Sequence, residues 1–271
     1  MTPLRRLAAA VSLAAMTAFG GAAQAGPRVM SLDQCSDEFV LALSPREDIV
    51  GLSYRADDGD SWLREQARGL PLRRVTTESV LAAGPQVIVR FWGGDARLSQ
   101  MLTRRGMRVV NIQEANDFDG VRANVRTVAA ALDRREAGEA LVAGMDAKLA
   151  KAHGAWGGHS GVYVTPSGFT AGSGTLVDAI MGAAGMSNGV KTPSYSQLSL
   201  EELVLSPPVA IIMGFFDGFA QVNDRWGIGR HGAMKRVMAG RAVASLPGSE
   251  LGCPGWFAAD GALSLAEKAP R

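Results

Sequence analysis

The chain has 271 residues, 47% of them hydrophobic, with 28 basic and 26 acidic side chains and two cysteines. That is enough apolar material for one large domain or two modest ones, and too little cysteine for a disulfide-stapled miniprotein or a four-cysteine zinc site. The first 25 residues carry Arg5 and Arg6 and no acid, so the remainder holds 28 − 2 = 26 basic against 26 acidic residues. A neutral chain without a basic run interleaved with aromatics argues against nucleic acid as a partner.

Residues 1–25 read as a secretory signal peptide. Arg5-Arg6 supply the positive start, residues 7–19 the apolar stretch, and Ala23-Gln24-Ala25 the small-residue cleavage site. The apolar run is too short for a membrane-spanning helix. No cysteine follows the cleavage site, so an exported product without a lipid anchor is expected, starting near Gly26.

Residues 28–32 predict a strand, 37–43 a helix ending before Pro45, and 49–52 a second strand. The next stretch is Thr76-Thr77-Glu78-Ser79-Val80-Leu81, then Pro85, then Val87-Ile88-Val89. It returns later as Ser199-Leu200-Glu201-Glu202-Leu203-Val204, then Pro208, then Ala210-Ile211-Ile212. Each copy reads as a Ser/Thr cap, a short helix with an acid in its first turn, a proline stop and a buried strand. Aromatics follow each strand, Phe91-Trp92 and then Phe215-Phe216. Two copies half a chain apart predict two similar α/β lobes, each presenting one glutamate.

After the first copy come a helix over 98–105, closed by Gly106, and a strand at Val109-Val110. Residues 116–132 and 135–153 predict two helices. Ala140, Leu141, Met145, Leu149 and Ala152 keep helical spacing in the second. At about 1.5 Å per residue it is a rod of roughly 28 Å. The second lobe repeats the order, with a strand over 161–165, a helix over 176–184, the second copy and a late strand over 242–244. Strands separated by helices imply mainly parallel sheets covered on both faces. The expected architecture is an N-terminal lobe over 26–133, one long connecting helix over 134–154 and a C-terminal lobe over 155–271, with a ligand cleft between the lobes. Lobes joined by a stiff helix close only slightly.

In this order the chain resembles the periplasmic substrate-binding proteins of ABC importers for cobalamin and iron-siderophore complexes, the helical-backbone metal receptors. The likeness is carried by Val29-Met30-Ser31-Leu32 with Cys35-Ser36-Asp37-Glu38, by Leu52-Ser53-Tyr54, and by residues 78–92 with Gly93-Gly94. Phe169-Thr170 with Gly172 and Gly174, residues 199–212, and Pro247-Gly248 through Phe257 with a last helix over 258–268 complete it. The resemblance implies a non-enzymatic binding protein, monomeric in the periplasm. Its ligand would be a metal chelate, a corrinoid, siderophore or haem, held between the lobes. It implies also that Glu78 and Glu201 dock onto paired arginines of an inner-membrane permease dimer.

Tyr54, Phe91, Trp92 and Phe169 sit at strand ends, where open α/β sheets bind ligands, and rings suit a bulky chelate. Arg55 and Arg90 suit carboxylates or phosphates of such a ligand. Cys35 and Cys253 fall in the first and last cleft loops of the family pattern. They face each other across the cleft, ligate a metal centre or line the pocket as inert thiols. A covalent clasp across a cleft would hinder release, so the reduced form is expected.

A secreted α/β hydrolase-like enzyme is the rival class. Its nucleophile pattern occurs at Gly185-Met186-Ser187-Asn188-Gly189, but a helix precedes it and Pro193 follows, where the elbow needs a strand before and a helix after. A dinucleotide-type pattern, Gly227-Ile228-Gly229-Arg230-His231-Gly232, follows Asp224-Arg225-Trp226, which is no strand. His153, His159 and His231 are too scattered for a three-imidazole zinc site.

Overall fold

The computed structural model describes residues 26–91, 93–217 and 231–270. Residues 1–25, where a signal peptide is expected, Trp92, and residues 224–230, which hold the approach to the glycine pattern and its first four positions, lie outside the described residues.

The N-terminal lobe runs β1 (Val29–Ser31), α1 (Gln34–Leu43), β2 (Ile49–Ser53), α2 (Arg64–Ala67), β3 (Leu72–Arg73), α3 (Thr77–Ala83), β4 (Val87–Phe91), α4 (Ala96–Arg104), β5 (Arg108–Ile112) and α5 (Phe118–Ala131). Its five strands pair in the order β3-β2-β1-β4-β5, all parallel. Strand period places Val87 and Val89 in the core shared with α1 and α5, while Ile88 packs with Val80 of α3 and Leu102 of α4 on the other face. Both faces are buried, which is why these strands read as unbroken apolar runs.

The connecting helix α6 (Arg135–Ala152) follows. The C-terminal lobe runs β6 (Ser160–Val164), β7 (Phe169–Ala171), α7 (Leu176–Ala183), β8 (Ser187–Asn188), β9 (Tyr195–Gln197), α8 (Leu200–Leu205), β10 (Ala210–Gly214), α9 (Gly232–Met238), β11 (Ala242–Leu246), α10 (Gly248–Leu251) and α11 (Ala258–Glu267). Its parallel sheet has the order β11-β10-β6-β8. One element departs from the other lobe. β9 precedes the second repeat as β3 precedes the first, yet it pairs antiparallel with β7 instead of extending the sheet.

Both repeat units fold as their sequences predict. Thr76 Oγ1 accepts the N–H of Ser79 at 3.2 Å, and Ser199 Oγ accepts that of Glu202 at 3.2 Å. The first helix stops at Gly84, whose φ of 58° a side chain would strain.

The lobes share one continuous core. It runs from Val29, Phe39 and Val89 through Val125 and Met145 to Ile180, Ile212 and Leu265. α6 packs against both α5 and α11. Arg122 reaches Asp146 at 2.6 Å and Lys148 reaches Asp260 at 2.7 Å, tying α6 to each. Residues 253–257, within the expected C-terminal lobe, return to the N-terminal one. Trp256 meets Phe39 edge-on and Phe257 stacks on Trp62, each at 5.4 Å between ring centres. Such pairs add about 0.5–1.5 kcal/mol apiece beyond the area they bury. Opening the lobes widely would expose this core.

Candidate functional site

The C-terminal ends of β1, β2 and β4 open onto a cavity of about 630 Å³. Cys35, Tyr54, Arg55, Arg90, Phe91 and Cys253 line it, together with Asp33, Val75 and Gly94. A second cavity of about 200 Å³ adjoins it, sharing Phe91 and Gly252. Its walls come from Glu114 and Ala115 of one lobe and from Leu176, Val177 and Tyr195 of the other. The first volume lies in the range of about 300–1,000 Å³ typical of small-molecule sites, and the second is smaller.

Acids at the start of α1 hold the strand ends that wall the cavity. Asp33 caps the helix, one carboxylate oxygen accepting from Ser36 N at 2.9 Å and the other from Phe91 N at 2.7 Å. Asp37 accepts from Ser53 N at 2.8 Å and Ser53 Oγ at 2.6 Å, and also from the Ser31 hydroxyl. It thereby joins the ends of β1 and β2 just before Tyr54. Burial pushes its pKa up to about 6, against the lowering effect of those hydrogen bonds. Glu38 accepts from Ser61 Oγ, Trp62 N and Leu63 N at 2.7–2.9 Å, pinning the far end of the loop that carries Tyr54 and Arg55. Burial raises its pKa too.

Tyr54 is 53% exposed, with the Arg74 guanidinium 5.3 Å above its ring. Arg55 is held by Asp58 at 2.9 Å and Asp60 at 3.4 Å. Arg90 is only 8% exposed and donates to Phe91 O, Asp95 O and the Ser99 hydroxyl. Strand period accounts for its course: Arg90 continues the Ile88 face of β4 toward α4, while Phe91 turns toward the cavities.

One expectation is corrected. Cys35 and Cys253 are not free thiols; they form a disulfide, with Cα atoms 5.3 Å apart. The objection to a clasp presumed that the bond spans two moving lobes. Cys253 instead belongs to the segment that returns to the N-terminal lobe with Trp256 and Phe257, so the bond fastens that segment to α1 in the cavity wall. Phe169 does not line either cavity. It begins β7 opposite Gln197, 44% exposed, on the two-stranded ribbon that β9 forms after leaving the sheet. Tyr195, opposite Ala171 on that ribbon, lines the second cavity. Its signal in the sequence is its place in the repeat: it precedes Ser199 by four positions, as Leu72 precedes Thr76.

Glu78 and Glu201 stand exposed in the first turns of α3 and α8. The Glu78 carboxyl is held below its usual value by its own backbone N–H and then by the Thr76 hydroxyl. Gly185, at φ 78°, closes the turn after α7 and Ser187 starts β8, so the hydrolase pattern is a helix stop. His159 Nδ1 lies 2.7 Å from Trp156 O, in the turn between α6 and β6.

Solved structures share this arrangement. A possible iron-binding (periplasmic solute-binding) protein from Staphylococcus epidermidis ATCC 12228 is similar at 19% identity, with TM-score 0.69 over 90% of this chain and 98% of that one. The periplasmic heme-binding protein HutB of Vibrio cholerae is 18% identical, with TM-score 0.69 over 89% and 98%. The periplasmic vitamin B12-binding protein BtuF of the same species is 17% identical, with TM-score 0.67 over 90% and 96%. No curated protein matches the chain. At these identities the likeness is one of fold. The family model described as periplasmic binding protein matches residues 29–224, most of the sequence, and the chain belongs to that family.

Proposed function

We propose that this protein captures a metal chelate of the corrinoid, siderophore or haem type between its lobes and hands it to an ABC importer. The observation that carries this reading is the cavity at the strand ends. It combines the rings of Tyr54 and Phe91 with basic side chains, and it adjoins the smaller cavity whose walls come from both lobes. Tyr54, Phe91 and Tyr195 supply broad apolar contact, and Trp92 follows Phe91 directly in the chain. The similar structures bind heme, vitamin B12 or, as described, possibly iron, which supports a chelate as ligand.

In this reading residues 1–25 export the chain to the periplasm, and it works as a monomer. It performs no chemistry on its cargo. The continuous core keeps the lobes nearly rigid, so the cavity is largely preformed and binding loses little to reorganisation. Glu78 and Glu201 project one from each lobe, and a permease dimer grips both at once through basic residues. The test is a melting series of the purified protein with haemin, a ferric tris-catecholate and cyanocobalamin. A ligand at a hundred times its Kd adds about 2.7 kcal/mol, an upward shift of several degrees. The reading fails if none of the three shifts the transition.

A further inference from the structure

Resting on that reading, we propose that the cavity selects a chelate carrying an anionic oxygen, and that Arg90 is the residue that takes it. A guanidinium stays charged at any physiological pH, and a buried cation is costly unless an anion or a full set of acceptors answers it. Arg90 is more than nine-tenths buried, yet no carboxylate among the described residues pairs with it. Its three hydrogen bonds go to neutral oxygens, and they use only Nε and Nη1.

Nη2 has no acceptor among the described residues, and it is not sealed inside the protein. The buried side-chain polar atom left without a partner there is Glu250 Oε2. Nη2 therefore meets solvent beside Gly94, which lines the same cavity. Gly94 makes room for Nη2 there: it adopts φ +66°, and a Cβ on it would stand 2.6 Å from Nη2.

The neighbouring acids bond to backbone N–H groups and not to Arg90. Both Asp33 oxygens accept, from Ser36 and Phe91, and Asp95 caps α4 through Oδ1, which accepts from Arg97 N and Leu98 N. Arg55 is the contrast: Asp58 and Asp60 already answer its charge, so it asks nothing of a ligand. The two N–H groups of Nη2 suit a carboxylate, catecholate or phosphate oxygen, and a neutral corrinoid leaves them unanswered.

The experiment is titration of tryptophan quenching in the purified, oxidised protein. The anionic probes are haemin, through its propionates, and a ferric tris-catecholate; the neutral probe is cyanocobalamin. The wild type should bind at least one anionic probe more tightly than cyanocobalamin. Arg90→Gln should weaken that probe about 10- to 100-fold, the range for one hydrogen bond to a charged group. Cyanocobalamin affinity should change less than about threefold, and Arg90→Lys should recover part of the loss. Gly94→Ala, which pushes Nη2 aside, should mimic Arg90→Gln in direction. If Arg90→Gln does not fold, the wild-type preference and Gly94→Ala carry the test. Preference for cyanocobalamin, or an equal loss for probes of both charges, overturns the inference and leaves the chelate reading standing. Binding of none of the probes overturns both.

Discussion

Replacing Cys35 and Cys253 together by serine tests the corrected reading of the cysteines. The disulfide closes a loop of 218 positions, so its removal returns a large amount of chain entropy to the unfolded state. The loop-entropy relation gives about 18 cal/mol/K for that length, or roughly 5 kcal/mol at 25 °C. In a chain of this size 1 kcal/mol moves the midpoint by about 2–4 °C, so the double variant should melt about 10–20 °C lower. The folded state itself should survive. The Trp256–Phe39 and Phe257–Trp62 contacts still hold residues 253–257 against the N-terminal lobe. Calorimetry of both proteins, with and without reductant, measures the difference, and reductant should move only the wild type. Thiol titration of the unreduced protein should find none. Two free thiols, or a double variant melting within about 3 °C of the wild type, would refute the reasoning.

Glu78→Arg with Glu201→Arg should abolish uptake while leaving chelate affinity and melting temperature within error, because both carboxylates are exposed at helix starts away from the cavity. Lost chelate binding, or unimpaired uptake, would end the docking role. Asp37 titrates near 6 in the fold and near 3.8 unfolded, so its raised pKa favours the protonated folded state. Its stabilising contribution is full below the unfolded value and is lost as pH rises through 6. The whole effect is roughly 3 kcal/mol, with about 1 kcal/mol of it between about pH 7.5 and pH 5. Urea unfolding across that window should show stability rising toward pH 5, and Asp37→Asn should flatten the slope; an unchanged slope would assign it to other groups. Tyr54→Ala should weaken chelate binding by about 1–3 kcal/mol with little change in melting, since the ring is half exposed. A lowered midpoint at constant affinity would make it a packing residue.

The sequence was enough for whatever depends on neighbours along the chain. Capping hydroxyls at Thr76 and Ser199, acids two residues on, the glycine at 84 and the 3.6-residue rhythm of α6 are local chemistry. Each shaped its element within a turn of where it was expected. The repeat carried this further, since two copies of one unit imply two lobes and one glutamate on each. It also held the clue to Tyr195, which matching the copies one step upstream would have exposed.

Tertiary structure alone decided what depends on segments far apart in sequence. Whether β9 extends a sheet or crosses to β7 turns on competing partners for the same backbone groups, and that choice removed Phe169 from the cavity and delivered Tyr195. The cysteine pairing depended on residues 253–257 folding back onto Phe39 and Trp62, a contact between segments more than 190 positions apart that no local pattern encodes. For Arg90 the sequence offered a cation on a strand, and acids stood near it at Asp33 and Asp95. Only the folded geometry bonds those acids to backbone N–H groups and leaves one corner of the guanidinium at solvent beside Gly94 of the cavity lining. Charge can be counted along a sequence, but whether a charge is answered depends on distance, which the fold sets.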